Sequence, residues 1–139
     1  MEAREYLKQV RRLEVQLDNR LREIERLDAD IHSISSVKFG EGGSSGFKHD
    51  KLQESVAKLE GRKEALSNFV DYYNEKRDAI LKTVEGINSP AHVQVLYKRH
   101  FESKKWEVIA VEMHYTYRHV LRIHDEAIDR LDKILKECR

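Results

Sequence analysis

The chain has 139 residues, 37% of them charged and 40% hydrophobic, with a net charge of +1. That length suits one domain or a small domain with an arm, and the near-neutral balance excludes the broad basic field of a general nucleic-acid binder. A single cysteine, Cys138, excludes a disulfide framework, and no apolar run approaches the roughly 20 residues that span a bilayer.

A lone thiol suits a reducing compartment, and MEAREYLKQVRRL lacks an apolar signal core. A cytoplasmic protein without membrane contact is therefore expected. The only proline is Pro90, and four of the six glycines cluster between Gly40 and Gly46. Proline and glycine are the main helix breakers, so their scarcity elsewhere favours long helices.

Residues 3–36 carry apolar side chains at Tyr6, Val10, Leu13, Leu17, Leu21, Ile24, Leu27, Ile31 and Ile34. Each lies three or four residues from the next, which is the seam of a coiled coil. The periodicity stops in HSISSVKFGEGGSSGFKHD, and the composition of GEGGSSG predicts a flexible loop over residues 37–49.

A second seam runs through Leu52, Val56, Leu59, Leu66, Val70, Tyr73, Ile80, Val84 and Ile87, with Phe69 and Leu81 broadening it. Lys63 and Arg77 fall at seam positions, where they are expected to snorkel or to fix register. Two helices of about 35 residues, each ~50 Å long, joined by a flexible turn predict an antiparallel hairpin over residues 1–88. A two-helix hairpin is thin, so its seam is expected to recruit a second copy, giving a homo-oligomer, most simply a dimer.

GINSPAH, residues 86–92, reads as a boundary: Asn88 or Ser89 can cap a new helix, and Pro90 fits its first turn. Residues 89–139 are then a separate small helical unit. Within it, WEVIAVEMHYTYRHVLRIH has the pattern of a helix-turn-helix. Ala110 is the small residue needed where two helices cross closely. Ile109, Met113, Tyr115, Val120 and Ile123 are apolar at the positions that must face inward, and Thr116 can cap the second helix. Tyr117, Arg118, Leu121 and Arg122 fall on the opposite side, the side that such a motif places in the DNA major groove. Two positions depart from the pattern: His114 stands where glycine usually makes the turn, and Lys105 where serine or threonine would cap the first helix. An ordinary helical hairpin satisfies part of the same pattern.

VLYKRHFESKKWEVIAVEMHYTYRHVLRIHDEAIDRL, residues 95–131, resembles the DNA-binding region four of bacterial sigma factors. The likeness is carried by Leu96 and Tyr97 upstream, by WEVIAVEM and a short turn, and by Ile123, His124, Ala127 and Leu131. With EYLKQVRRLE and the Gly/Ser loop, the whole chain is similar to small phage and prophage proteins of Gram-positive bacteria related to the ArpU and RinA type regulators. The resemblance implies a sigma-like C-terminal domain, sequence-specific binding of double-stranded DNA and control of phage transcription.

Other motifs are absent. His114, His119 and His124 are five residues apart and share no helical face; with no HExxH or CxxC, no metal site is expected. His100, His119 and His124 read instead as polar or phosphate-facing residues. No Gly-rich strand-to-helix turn and no spaced Ser/His/Asp set supports catalysis, so neither an enzyme nor a cofactor is expected. Trp106 and Phe101 read as core.

The sequence thus predicts an all-α regulator. Thr116, Tyr117, Arg118, His119, Leu121 and Arg122 are candidates to read DNA, with Lys98, Arg99, Lys104 and Lys105 to hold its backbone. Residues 97–124 hold six Lys and Arg against three Glu, a local excess of only +3. One copy should bind weakly, and dimerisation or RNA polymerase held by the hairpin would supply further affinity. Two other readings stand beside this one: a DNA-recognition subunit of phage packaging, and a coiled-coil adaptor that binds no DNA.

Overall fold

A computed structural model describes residues 1–36 and 45–138, with side chains placed except at 35–36 and 45–49. Five α-helices make up the described chain: α1 Ala3–Ser36, α2 Ser45–Glu85, α3 Pro90–Leu96, α4 Trp106–Met113 and α5 Tyr117–Glu137. A π-helical turn, Tyr97–Phe101, continues α3. The fold is all-α. No helix among the described residues is long and apolar enough to cross a membrane. Of the loop expected over 37–49, residues 37–44 lie outside the described residues, and α2 already begins at Ser45.

The chain divides into two compact units, one of Met1–Glu14 with Tyr73–Arg139 and the other of Val15–Tyr72. This division lies elsewhere than the expected boundary at residues 88 and 89. The reason is packing: Ala3, Leu7 and Val10 of α1 are fully buried, in one cluster with Ile80 and Val84 of α2 and Ala127, Ile128 and Leu131 of α5. Polar contacts hold the same arrangement. The Ala3 backbone N–H donates to the Asp132 carboxylate at 2.6 Å, and the Tyr6 hydroxyl lies 3.0 Å from that of Thr83. Arg77, expected at the seam, is half-buried with its guanidinium 5.3 Å from the centre of the Phe101 ring.

In the second unit, α1 and α2 run side by side and antiparallel, tied by Arg62 to Glu23 at 3.4 Å and by Arg20 over the Phe69 ring. Here the seam departs from the expected one. Arg62 turns toward α1 to reach Glu23, whereas Val56 and Lys63 are exposed. A helix with 3.6 residues per turn drifts by ~20° per heptad from a strict seven-residue repeat, enough to move flanking positions off the contact line.

The junction between α2 and α3 follows its local chemistry. Asn88 takes a left-handed backbone at φ 63°. Ser89 is the N-cap residue of α3 and Pro90 follows in its first turn. The Ser89 hydroxyl makes no backbone cap; it lies 2.6 Å from His92 Nδ1, and His92 Nε2 lies 2.9 Å from the Glu126 carboxylate. This chain of contacts ties the start of α3 to α5.

Candidate nucleic-acid interface

The turn between α4 and α5 is built from two backbone devices. His114 ends α4 in the left-handed region, at φ 58° and ψ 37°. Its N–H bonds to the Val111 carbonyl at 3.3 Å, and the Tyr115 N–H reaches the Ala110 carbonyl at 3.0 Å. Those two bonds are the Schellman closure of a helix end. Thr116 then starts α5 in extended conformation, and its Oγ1 accepts from the His119 N–H at 3.1 Å.

Beneath the turn, Val95, Ile109, Ala110, Val120 and Ile123 are buried together, with Trp106 and Met113 packed against them. Ala110 is therefore the small residue at a close contact, as expected. Tyr115 is not part of that core. It emerges from the Schellman turn into solvent and meets His119 edge-on, ring centres 4.6 Å apart.

The exposed side of α5 begins with Thr116, Tyr117 and Arg118. Arg118 has no hydrogen-bond or ion-pair partner among the described residues, so its guanidinium is available. Arg122 is also exposed but partly engaged, donating to His119 Nδ1 at 2.8 Å and lying 4.0 Å from the Glu126 carboxylate. His119 and Leu121 are half-buried.

The expected backbone-holding cations sit differently. Lys98 donates to Glu112 at 2.8 Å. Lys104 reaches both oxygens of the same carboxylate at 2.8 and 2.9 Å, and Glu102 at 3.1 Å. The hydrogen bonds to Glu112 and Glu102 raise the Lys104 pKa, and those from Lys104 and Lys98 lower that of Glu112. Arg99 lies 4.4 Å from the centre of the Trp106 ring and donates to the Lys104 carbonyl. Only Lys105, the N-cap residue of α4, is exposed without a partner among the described residues. Its side chain makes no cap bond, and none comes from Ser103, which has φ 55°. Sequence spacing could not reveal Glu112 as the centre of this cluster, because the chain reverses at Ser103 to bring Lys98 and Lys104 onto it.

His100 and His124 are not phosphate-facing. His124 is buried and His100 half-buried, and their Nε2 atoms lie 2.9 Å apart behind the exposed side of α5. Trp106 closes over His124 edge-on at 4.7 Å. Burial, together with the charges of His124 and Arg99, pushes the His100 pKa down to about 3. Burial and Arg4 bring that of His124 to about 4. Both rings are neutral at pH 7, and one Nε2–H donates to the other Nε2.

A search against known protein families, characterised proteins and solved structures finds no match to this chain.

Proposed function

We propose that the protein is a DNA-binding transcriptional regulator whose α4 and α5 act as a helix-turn-helix, with the first turn of α5 entering the major groove. One observation carries this reading. Arg118 stands exposed and unpartnered in the first turn of a capped helix, while Val120 and Ile123 on the other side of that helix are buried under α4. A free guanidinium held at a rigid helix start can pair with the O6 and N7 acceptors of guanine. Thr116 and Tyr117 flank it for phosphate or thymine-methyl contact, and Arg122 follows one turn later. Lys105, beside the uncapped start of α4, suits a backbone phosphate. The likeness of residues 95–131 to sigma region four supports phage or prophage promoters as the target and RNA polymerase as a partner.

The deciding experiment is selection of DNA sites by the purified protein, followed by titration of the selected site. Arg118→Ala is expected to lose about 1–3 kcal/mol of binding and to relax preference at one base position, with the melting temperature unchanged. If no site is enriched, or Arg118→Ala and Arg122→Ala both bind like wild type, α5 does not read DNA.

A second reading, an adaptor that binds protein, is favoured by a different observation. Val108 and Val111 share one face of α4, with Val111 76% exposed, and Tyr115 is exposed in the turn that follows. The packaging-subunit reading has no such support.

A further inference from the structure

Asp125 follows Arg118 by two turns of α5, ~10 Å further along the axis and on the same side at 3.6 residues per turn. The major groove is ~8.5 Å deep. A helix whose first turn reaches base edges therefore carries Asp125 to the level of the phosphates. At that level α5 itself offers acid: Asp125, Glu126 beside it and Asp129 one turn on are all exposed. Bare carboxylates there would be repelled by the duplex. Two of the three have partners. Glu126 meets His92 Nε2 at 2.9 Å and lies 4.0 Å from Arg122. Asp125 meets Arg4 of α1, Nη2 to Oδ1 at 3.5 Å. The neighbours of Arg4 fix its position. Ala3 is fully buried and donates its N–H to Asp132 at 2.6 Å, and Leu7, one turn on, is buried in the same cluster as Ala127, Ile128 and Leu131. The stem of Arg4 is thus held beside α5 while its head stays in water: the side chain is 59% exposed, and that of Asp125 70%. The other acids of the first α1 turns are directed elsewhere. Glu5 holds Lys8 and Arg12 at 3.2 Å each, and Glu2 falls nearly on the opposite side of α1 from Arg4.

We propose that Arg4 is a phosphate-holding residue of the DNA interface: it covers Asp125 and grips the backbone at the edge of the groove that Arg118 enters. This rests on the reading of α5 as the helix that reads DNA, and it extends the interface to a residue 121 positions away in sequence. Arginine suits the place. One long contact to Asp125 leaves most of its five N–H donors free. Its planar fork can keep one edge on the carboxylate and turn another to a phosphate oxygen. Arg4 and Asp125 together are neutral, so the pair adds no broad attraction. Its effect is to replace a repulsive contact at the groove edge by a directed one. Sequence spacing could not show this, because only the packing of Ala3 and Leu7 brings the start of α1 onto α5.

Titration of the full chain against the selected duplex and an unrelated duplex of the same length, over a range of salt, tests this. Arg4→Gln is expected to bind both several-fold more weakly at low salt, with the slope of log K against log salt shallower by about 0.9. Preference between the two should stay as it was, because phosphate contacts carry no base information. Arg4→Lys keeps the charge and should recover most of the loss. Asp125→Asn separates the two roles of the pair. With Arg4 on phosphate, that variant binds at least as tightly as wild type. A loss matching that of Arg4→Gln would mean that Arg4 only ties α1 to α5, and would overturn the proposal. Lys136→Gln, on the same side of α5 but ~27 Å beyond Arg118, should leave binding unchanged. An equal loss there would point to a general field rather than a contact, and the proposal would fail. It fails too if Arg4→Gln binds like wild type while Arg118→Ala loses affinity, an outcome that leaves the reading of α5 intact. If both bind like wild type, α5 does not read DNA and the proposal falls with it.

Discussion

The Nε2 atoms of His100 and His124 meet at 2.9 Å, with Trp106 edge-on to His124 and Arg99 over the Trp106 ring. The contact needs one Nε2 to stay unprotonated, and burial together with Arg4 and Arg99 opposes added charge on either ring.

That geometry sets a pH dependence. In the unfolded chain a histidine takes up its proton near pH 6.5, whereas the folded rings resist to about 4 for His124 and about 3 for His100. Between those values the unfolded state binds more protons, so stability rises with pH. The contribution is fully present above pH 6.5 and is lost progressively as the pH falls toward 4 and below. The melting temperature should therefore drop steadily from pH 7 to pH 4.5. His124→Phe keeps a ring against Trp106 and should flatten that drop; an unchanged slope would mean that other groups set it.

Leu7 lies in the same unit as α5, and its side chain is fully buried. Leu7→Ala should destabilise this unit by ~2–5 kcal/mol. By the same argument residues 90–139 alone should not fold, because Leu96, Phe101, Ile128 and Leu131 lose their partners on α1 and α2. A cooperative melt of that isolated segment near the temperature of the whole chain would show that the α1 contacts are dispensable.

What could be read from the sequence was local. The Pro90 start, Ala110 under the turn and the Thr116 cap each follow from spacings of a few residues, and each holds; the expected α1 seam fails at Leu21, which is exposed. What could not be read depends on distant segments meeting. No local period tells that Ala3, Leu7 and Val10 pack on α5 rather than only on α2. Lys98 and Lys104 look like free cations until the reversal at Ser103 sets them on Glu112. The exchange of Lys63 for Arg62 on the contact side reflects helical drift, which a seven-residue count ignores. Among the candidate residues, helix phase anticipates the exposure of Tyr117, Arg118 and Arg122, whereas the engagement of the upstream cations depends on contacts that spacing does not reveal.

His114 holds a left-handed backbone at φ 58°, a conformation that costs a side-chain-bearing residue roughly 1 kcal/mol. Its ring is exposed, so little packing is lost on removal. His114→Gly should raise stability by up to ~1 kcal/mol, and His114→Val, branched at Cβ, should lower it. Chemical denaturation of the two variants measures both effects, and a loss with glycine would mean that the ring has a structural partner in solution.

Glu112 holds two of the four cations that the DNA-binding reading would place near phosphate, Lys98 and Lys104. The cluster is at the surface, so the ion pairs themselves contribute little. Their larger effect is on charge: the carboxylate cancels a field that DNA would otherwise feel. Glu112→Gln removes that charge while keeping the shape, and the net charge rises by one. If these lysines face the DNA backbone, affinity for any duplex should increase, most at low salt. The slope of log K against log salt should steepen by about 0.9 for each new phosphate contact. Preference among sequences should stay as it was, because phosphate contacts carry no base information. Melting curves of the variant, run beside the titrations, separate this from a structural role. Unchanged stability with a steeper slope supports the lysines as a restrained phosphate-binding pair. An unchanged slope with unchanged stability would place Lys98 and Lys104 away from the DNA and leave Lys105 as the upstream contact.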